Sequence, residues 1–587
     1  MLEAEPEPEQ HAEETEPEAP AESSSLNHWL VSRRDALYFA GFPVVLPFVL
    51  FVVLRPDWYT LQNGLDPYFY TGWAQNLSNG LAVAGTGHYS VSRWSIYLPA
   101  RLFYQLFGAQ YGFVFQRWVL TAVIVAMVLA FGHRRWGRVP AALAATCVIL
   151  NPMFIRAIFS DYADVVVLPF GIAMILLLIG AQRWRWAMVL AGMAAGLCVV
   201  ANIFATTMVL LAFAVCVVAM RTWRRRGELA VLAGAGGAAV VFGGLLLFRW
   251  RYGIADVYKP SIDFVRNFND GRDPLKKLRS NWVGFYLWIY APPLVLAVLV
   301  LLARLRRVTL TRAEKTIVVI TGVQYVFQMW WQLAHNGTTL EISYYWMYIL
   351  PSFALATAIL VGRAARLVRP ATAAAVGVVL VALLVIVRRG PELLPNWVVG
   401  VLAVGAFFAA AVLLVERLPV VLVAFAVLVP IGLAFVYPRP LPLKTGDFGL
   451  DAGYATVFHS TNSPGQRKFL AGSWLVRQIR VLPQDVQNNL YYWSANWDAF
   501  TMAAMELATI DGRLLNDWTS AAPFNTLAGT FEAMSAGRIK FVALLGTKEE
   551  VDAMESRLAG QGLVLHALDV TTDESMGQRV AVVRLGD

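Results

Sequence analysis

Charged residues are scarce in this chain. Of its 587 residues, 15% are charged and 58% are hydrophobic, whereas a soluble domain carries about 25% charged residues. This composition excludes an ordinary soluble globular protein. Many separate apolar runs of about 17–22 residues, each long enough to cross a bilayer, instead predict a polytopic helical membrane protein.

Cysteine is also rare. The sequence holds three cysteines, Cys147, Cys198 and Cys216, and all three fall within apolar runs. Their number is odd, and their spacing is unlike that of metal ligands. We therefore expect neither a disulfide framework nor a zinc site.

The first 25 residues lack lysine and arginine but contain nine glutamates and four prolines. Without a basic segment followed by an apolar core, this region is not a signal peptide. It also cannot bury a core, so we expect residues 1–30 to be a disordered acidic tail. The net charge of +9 comes mainly from arginines at the ends of apolar runs, where it reports membrane topology rather than nucleic-acid binding.

About thirteen apolar runs are predicted to span the membrane. The loops between them alternate in character, and one set is short and rich in arginine, which is typical of the cytoplasmic side. The N-terminus is then cytoplasmic, and an odd number of spans places residues 438–587 outside. The predicted spans are 36–54, 112–131, 139–157, 163–181, 185–201, 203–220, 229–248, 283–303, 316–333, 344–362, 371–387, 397–415 and 419–436.

The residues with unusual chemistry collect on the predicted outer side. They lie in the long loop 55–111, in 160–164, in the basic loop 249–282 and in 335–341. Charged residues within the spans are nearly absent, and no internal repeat is visible. A channel or symmetric transporter would more often have charged residues within its spans and repeated halves. The pattern therefore argues against these classes.

Asp66 is the most informative residue of the first outer loop. It precedes Pro67, which suits a helix N-cap, but a capping carboxylate is also free to act in catalysis. A second amphipathic stretch follows at Ile96–Phe107. Aromatic residues at such places are commonly membrane-interface anchors, and this is the role that we predict for Trp94, Tyr97 and Tyr104.

This arrangement resembles the GT-C superfamily of glycosyltransferases that use lipid-phosphate sugars, which includes protein mannosyltransferases, aminoarabinose transferases, arabinofuranosyltransferases and oligosaccharyltransferases. The resemblance rests on the long first outer loop, on the segments 65–70 and 89–93, and on the acidic positions Asp66 and Asp161/Asp164. Asp66 stands alone where mannosyltransferases have an Asp-Glu pair. The second site is Asp-x-x-Asp rather than a tighter pair.

The resemblance implies a GT-C-like membrane domain over residues 31–437, in a bacterial plasma membrane, and an inverting transfer of a sugar from a polyprenyl-phosphate donor to a hydroxyl of a glycan, lipid or protein. Asp66 is the candidate base for the attacking hydroxyl. Arginine binds phosphate oxygens in a bidentate manner. The candidate substrate-binding residues are His88, Tyr89, Arg93, Arg101, Arg156, Asp161, Asp164, Arg249, Arg251, Lys259, His335 and Glu341.

Asp161 and Asp164 are also candidate ligands for a divalent cation, Mg²⁺ or Mn²⁺, because such ions prefer carboxylate oxygens. Binding of substrate hydroxyls, or pairing with Arg156, explains the two carboxylates equally well. No other cofactor is expected. Two alternatives to a GT-C enzyme stay open at this point: a transporter or flippase of lipid-linked sugars, and a polysaccharide polymerase or ligase.

The last part of the chain, residues 438–587, is amphiphilic rather than apolar. Its pattern predicts strands at 489–493, 539–545, 563–570 and 579–585 and a helix at 549–559, with further helices at 474–481 and 499–510. Alternating helices and strands of this kind predict a small extracytoplasmic α/β domain.

Overall fold

The computed structural model describes most of the helical region and parts of the C-terminal region. The described residues are 33–54, 70, 73–74, 77, 89–149, 151, 154, 157–158, 163–181, 183–220, 222–269, 309–335, 347–366, 482–483, 485–486, 490–494, 513–514, 539–573 and 578–586. The predicted spans 283–303, 371–387, 397–415 and 419–436, the acidic tail and the predicted helices 474–481 and 499–510 lie outside these residues.

The described elements are mainly helices in the first two thirds of the chain and a sheet near its end. The helices are α1 (Arg33–Leu54), α2 (Trp94–Trp136), α3 (Arg138–Ile149), α4 (Asp164–Gly180), α5 (Arg185–Ala201), α6 (Ala205–Ala219), α7 (Trp223–Tyr252), α8 (Lys259–Asn269), α9 (Arg312–His335), α10 (Leu350–Arg366) and α11 (Lys548–Gly560). A 3₁₀ turn, Tyr89–Ser92, precedes α2.

Each predicted span within the described residues coincides with a helix. Among these residues, two segments, Gly112–Trp136 and Trp223–Tyr252, are long and apolar enough to cross a membrane, and several shorter helices are strongly apolar. Several boundaries differ from the predicted spans by six residues or more, and proline accounts for two of them. Helix α3 ends at Ile149, shortly before Pro152, and α10 begins at Leu350 with Pro351 in its first turn, because proline disfavours a helix before it but suits a helix start.

Helix α2 is sharply bent. A Cβ atom on Gly112 would lie 2.5 Å from the Phe103 carbonyl oxygen, although nine residues of a straight helix span about 13.5 Å. The chain therefore folds back between these positions, and only glycine permits the contact. The Phe107 and Phe115 rings meet across the bend, with centroids 4.7 Å apart. The bend separates the predicted amphipathic stretch Ile96–Phe107 from the predicted span 112–131.

The short hairpin between α5 and α6 agrees with the prediction of two separate spans. Helix α5 ends at Ala201 and α6 begins at Ala205. The Asn202 side-chain oxygen accepts a hydrogen bond of 3.1 Å from the Phe204 backbone N–H. This local bond satisfies a donor at the start of α6, where the helix offers no backbone acceptor.

Three helices meet at a buried carboxylate at one end of the bundle. Glu314, in the first turn of α9, is fully buried and forms an ion pair of 2.6 Å with Arg363 of α10. The indole Nε1–H of Trp136, the last residue of α2, donates to the Glu314 Oε1 atom at 2.7 Å. This network fixes the end of α2 against α9 and α10.

The start of α7 also lies at the Glu314 end of the bundle, because Arg312 of α9 donates to the Ala219 carbonyl oxygen at the end of α6. Trp94 packs against Gly244, about 32 Å along α7 from Trp223, and is therefore at the opposite end of the bundle.

The described C-terminal residues form a five-stranded sheet. Its strands are β1 (Leu490–Ser494), β2 (Arg513–Leu514), β3 (Phe541–Gly546), β4 (Leu565–Asp573) and β5 (Gln578–Leu585), in the order β2-β1-β3-β5-β4. Strand β1 is parallel to β2 and β3, whereas β5 is antiparallel to β3 and β4. Helix α11 covers one face and begins with a capping box formed by Thr547 and Glu550. The predicted strands 489–493, 539–545, 563–570 and 579–585 and the helix 549–559 are confirmed to within a few residues.

Candidate functional site

Arg93 lies at the centre of an aromatic cluster where α2 begins. Its side chain is buried, with the residue 6% exposed, and its Nη1 atom donates a hydrogen bond to the Tyr70 hydroxyl. The guanidinium carbon lies 4.9 Å from the centre of the Tyr89 ring and 5.9 Å from that of Tyr70. Faces of aromatic rings attract cations. The two tyrosines therefore hold the guanidinium in a fixed orientation while its positive charge is retained.

Helix α8, from the predicted basic loop 249–282, packs directly on this cluster. The Phe264 ring stacks on the Tyr89 ring with centroids 4.5 Å apart. The Ser261 hydroxyl donates to the Tyr89 carbonyl oxygen at 2.8 Å and is also hydrogen-bonded to the Ser92 hydroxyl. These contacts join two segments that are distant in sequence. They place part of the basic loop against Arg93's immediate neighbours.

A second set of contacts holds Tyr258, the residue that directly precedes α8. The Trp94 Nε1–H donates to the Tyr258 hydroxyl at 3.0 Å, and that hydroxyl donates to the Val241 carbonyl oxygen at 2.9 Å. Burial raises the pKa of Tyr258, and the hydrogen bond from Trp94 lowers it by a smaller amount. The phenol is therefore neutral at physiological pH and remains a hydrogen-bond donor.

Gly244 of α7 provides the space for this contact, which gives a sharp test. A Cβ atom there would lie 2.5 Å from both the Trp94 Nε1 atom and the Tyr258 hydroxyl. We expect Gly244→Ala to separate the two side chains and to lower stability by about 1–3 kcal/mol, the usual cost of overpacking. The measurement is the thermal unfolding of the purified protein in detergent.

Gly243→Ala is the matched control, because no atom lies within 4 Å of a Cβ added at that position. Alanine is favoured over glycine in a helix by up to about 1 kcal/mol. This control should therefore unfold at the wild-type temperature or slightly above it. Equal unfolding temperatures for both variants would contradict the close contact at Gly244.

Several described aromatic residues of the first loop are part of the protein core. Trp73, Ala74 and Leu77 are fully buried, and the Trp73 ring meets the Tyr97 ring edge-on at 5.2 Å. The Tyr97 hydroxyl donates to the Val91 carbonyl oxygen at 2.7 Å. The prediction of interface anchors is therefore wrong for Tyr97 and Tyr104, which are both buried. The pattern of spaced aromatics is the same for an anchor and for a core residue, and only packing separates the two.

The other predicted site residues differ in where they lie, and some fall outside the described part of the chain. Tyr89 and Arg93 are brought together. With the Gln105 amide turned so that its oxygen accepts, Arg101 donates to it from Nε at 3.2 Å and from Nη2 at 2.8 Å. Arg249, Arg251 and Lys259 are exposed where α7 ends and α8 begins. Asp164 begins α4 and His335 ends α9. The predicted site residues outside the described part of the chain are Asp66, His88, Arg156, Asp161 and Glu341.

The described residues do not form a metal-binding site. The described part of the chain contains no group of three or more His, Cys, Asp or Glu side chains that could hold a metal ion. The predicted cation ligand Asp161 lies outside it, and only the backbone of Asp164 is described. The divalent cation therefore stays a prediction.

Arg117 is a buried charge that the sequence analysis missed. It lies within the predicted span 112–131, is fully buried, and its guanidinium carbon is 4.0 Å from the centre of the Phe113 ring. It also donates a hydrogen bond to the Gln116 side-chain oxygen. The signal was available, because an arginine inside an apolar span generally faces the protein interior and serves a function. Charge within the spans is thus less rare than the prediction assumed.

Comparison with solved structures identifies the architecture. ArnT from Cupriavidus metallidurans is similar in its apo state (13% identity, TM-score 0.52) and bound to undecaprenyl phosphate (14% identity, TM-score 0.53). Both alignments cover 94% of this chain and 98% of the ArnT chain. The chain has the fold of the GT-C glycosyltransferases.

The resemblance inferred from the segments around Asp66 and Arg93 is thereby confirmed for the GT-C fold. An oligosaccharyltransferase from Archaeoglobus fulgidus, tethered with an acceptor peptide, is also similar, at 13% identity and a TM-score of 0.38 over 86% of this chain and 69% of that one. No family model and no curated protein matches the sequence. What the comparisons show is therefore a shared fold with ArnT.

Proposed function

We propose that the protein is a membrane glycosyltransferase that transfers a sugar from a polyprenyl-phosphate donor to a hydroxyl acceptor. The observation that carries the proposal is the buried Arg93 between Tyr70 and Tyr89, beneath α8, in a chain with the GT-C fold. ArnT, which has the same fold, has been solved with undecaprenyl phosphate. That structure supports a lipid phosphate as the kind of ligand for this chain.

The chemistry of the proposed reaction divides between an arginine and a carboxylate. A polyprenyl phosphate is a good leaving group that needs its negative charge stabilised as the glycosidic bond breaks. A guanidinium held in a fixed orientation supplies this stabilisation without reorganisation. We assign this role to Arg93. The acceptor hydroxyl needs a base as it attacks the anomeric carbon, and we assign that role to Asp66. Direct attack by the acceptor inverts the configuration at that carbon.

The proposed function requires the active site to face the outer side of the membrane. The Arg93 cluster, Asp66 and the C-terminal sheet would lie on the outer face, in a bundle of about thirteen spans. Two features support this arrangement. The arginine-rich loops adjoin the Glu314 end of the bundle, which fits a cytoplasmic end. Trp223 and Trp250, close to the two ends of α7, are 82% and 87% exposed, as expected of tryptophans in the two membrane interfaces.

Arg93→Lys tests the phosphate-binding role. Lysine keeps the positive charge but loses the planar fork and the stacking on Tyr89. We expect the affinity for undecaprenyl phosphate to fall by about 10–100-fold, which corresponds to the roughly 1.5–3 kcal/mol of hydrogen bonds to a charged group. The measurements are thermal stabilisation by undecaprenyl phosphate and the transfer of labelled sugar from a polyprenyl-phosphate donor.

Arg266→Lys is the matched control, because Arg266 lies on α8 with 75% of its side chain exposed and a distant Asp263 partner at 3.9 Å. It should bind undecaprenyl phosphate as the wild type does. Unchanged binding by Arg93→Lys would refute the phosphate-binding role. A wild-type protein that moved labelled lipid across a sealed vesicle but transferred no sugar would instead be a flippase.

A further inference from the structure

A row of buried polar side chains runs along α9. Thr321, Gln324 and Gln328 follow one another at intervals of three and four residues, so they share one face of the helix. All three are at least 96% buried, with exposures of 1%, 1% and 4%. Uncharged polar side chains inside a membrane protein require hydrogen-bond partners, because neither lipid nor the apolar core supplies any.

The first two members of the row are satisfied within the protein. The Thr321 hydroxyl donates to the Ile317 carbonyl oxygen at 3.0 Å. The Gln324 Nε2 atom donates to the Met208 carbonyl oxygen at 2.9 Å, and its Oε1 atom accepts from the Ser352 hydroxyl at 2.6 Å. Gln324 therefore ties α9 to α6 and α10, and its role is structural.

Gln328 differs from Gln324 although it lies one turn away on the same face. Its amide oxygen is buried and has no hydrogen-bond partner among the residues that the structure describes. An unsatisfied buried acceptor lowers the stability of the folded protein. Native proteins keep few such groups, and a retained one calls for an explanation.

Gln328 lies toward the end of the bundle that contains Arg93. Ser352, the partner of Gln324, lies in the first turn of α10. Gln328 is about 6 Å further along α9, beyond the level at which α10 begins, and about 21 Å from the position of Glu314. Because Arg93 directly precedes Trp94, which packs against Gly244 at the end of the bundle opposite Glu314, Gln328 lies in the half of the bundle that contains the proposed site.

We propose that Gln328 binds a hydroxyl group of a sugar substrate, with its amide oxygen as the acceptor. This inference rests on the proposed function. A phosphate group has only acceptors at its ionised oxygens, and a polyprenyl chain has neither donors nor acceptors, so neither satisfies a carbonyl-type oxygen. A sugar hydroxyl does. A site built to bond a hydroxyl discriminates strongly against ligands that lack it, so Gln328 becomes a residue that determines sugar specificity.

The test compares Gln328→Met with Gln324→Met, since methionine is close to glutamine in shape but has no strong acceptor. The probes are undecaprenyl phosphate and, from a panel of undecaprenyl-phosphate sugars, the one that stabilises the wild type most. We expect Gln328→Met to unfold at or above the wild-type temperature and to bind undecaprenyl phosphate normally. Its KM for one of the two substrates, the lipid-linked sugar or the acceptor, should rise by about tenfold, the equivalent of one hydrogen bond.

The hydroxyl that Gln328 binds could belong to the donor or to the acceptor, and the two cases give different results. A higher KM for the lipid-linked sugar, with loss of the extra stabilisation that the sugar gives over undecaprenyl phosphate, assigns the hydroxyl to the donor. A higher KM for the acceptor alone assigns it to the acceptor. Gln324→Met should unfold at a lower temperature, because it removes the hydrogen bonds by which Gln324 joins α9 to Ser352 of α10 and to the Met208 carbonyl oxygen of α6.

Two outcomes would overturn the inference while leaving the proposed function intact. One is a Gln328→Met variant with unchanged constants for both substrates. The other is a variant that unfolds early, as Gln324→Met does, yet keeps wild-type constants, which would mean a structural role. If no undecaprenyl-phosphate sugar stabilises the wild type and no sugar is transferred, the proposed function fails, and this inference fails with it.

Discussion

Asp66→Asn is expected to reduce sugar transfer by about 10³–10⁴-fold, the upper range for loss of a general base. Asparagine has nearly the shape of aspartate but cannot accept the proton of the attacking hydroxyl at neutral pH. Asparagine also remains a good N-cap, so the helix start that the sequence predicts at Pro67 should persist. The measurement is single-turnover transfer from a polyprenyl-phosphate sugar, together with thermal stabilisation by undecaprenyl phosphate, which should match the wild type.

Asp256→Asn provides the matched control on the same face of the proposed topology. The Asp256 Oδ1 atom accepts hydrogen bonds of 3.1 Å from the backbone N–H groups of Tyr258 and Lys259. Asparagine preserves this capping geometry, so transfer should be close to normal. If Asp66→Asn retained full turnover, Asp66 would be a structural cap and the base would have to be sought elsewhere. A loss of undecaprenyl-phosphate binding would assign Asp66 to the donor site instead.

Glu314→Ala is expected to give the largest loss of stability, about 3–5 kcal/mol, because it leaves a charged partner buried without compensation. Arg363, whose side chain is 12% exposed, would lose its carboxylate. The indole N–H of Trp136 and the backbone N–H of Thr311 would lose their acceptor as well. The measurement is thermal or denaturant unfolding in detergent, followed through the ellipticity of the helices.

Glu228→Ala is the control for this second prediction. Glu228 also pairs with three arginines, Arg185, Arg224 and Arg225, but their side chains are 60%, 82% and 37% exposed. Ion pairs in water contribute little to stability, so its removal should change the unfolding temperature very little. Similar losses in both variants would show that the Glu314 network is no more protected from solvent than the Glu228 pairs.

The sequence predicted the helices of this protein better than its contacts. Spans such as 185–201 and 229–248 were visible because apolar runs of that length have few alternatives in a membrane. The bend in α2 was foreseen only as a boundary between an amphipathic stretch and a span. Its cause, the contact of Gly112 with the Phe103 carbonyl, involves three-dimensional packing that hydropathy does not encode.

The candidate site was predicted in part. Arg93 and Tyr89 were singled out because an arginine among aromatic and polar residues near a membrane surface suits a phosphate. Their contact with α8 was not predicted, since it joins Tyr89 to Phe264 across more than a hundred residues. Gln328 was missed because one uncharged polar residue in an apolar span gives a weak signal until its burial is known. Arg117 was missed although a charge inside an apolar span is itself a signal.

The sequence alone determined the class of this protein, its helices and the chemistry of its loops. These follow from local composition, and the bilayer enforces them because every backbone polar group in lipid must be satisfied within a helix. Only the tertiary structure decided which side chains meet: Arg93 with Tyr70 and Tyr89, and Glu314 with Arg363. It also showed that the Gln328 amide oxygen has no partner among the described residues. Such pairings depend on how helices pack across long sequence separations, and a buried hydrogen bond or ion pair forms only where that packing brings its two groups together.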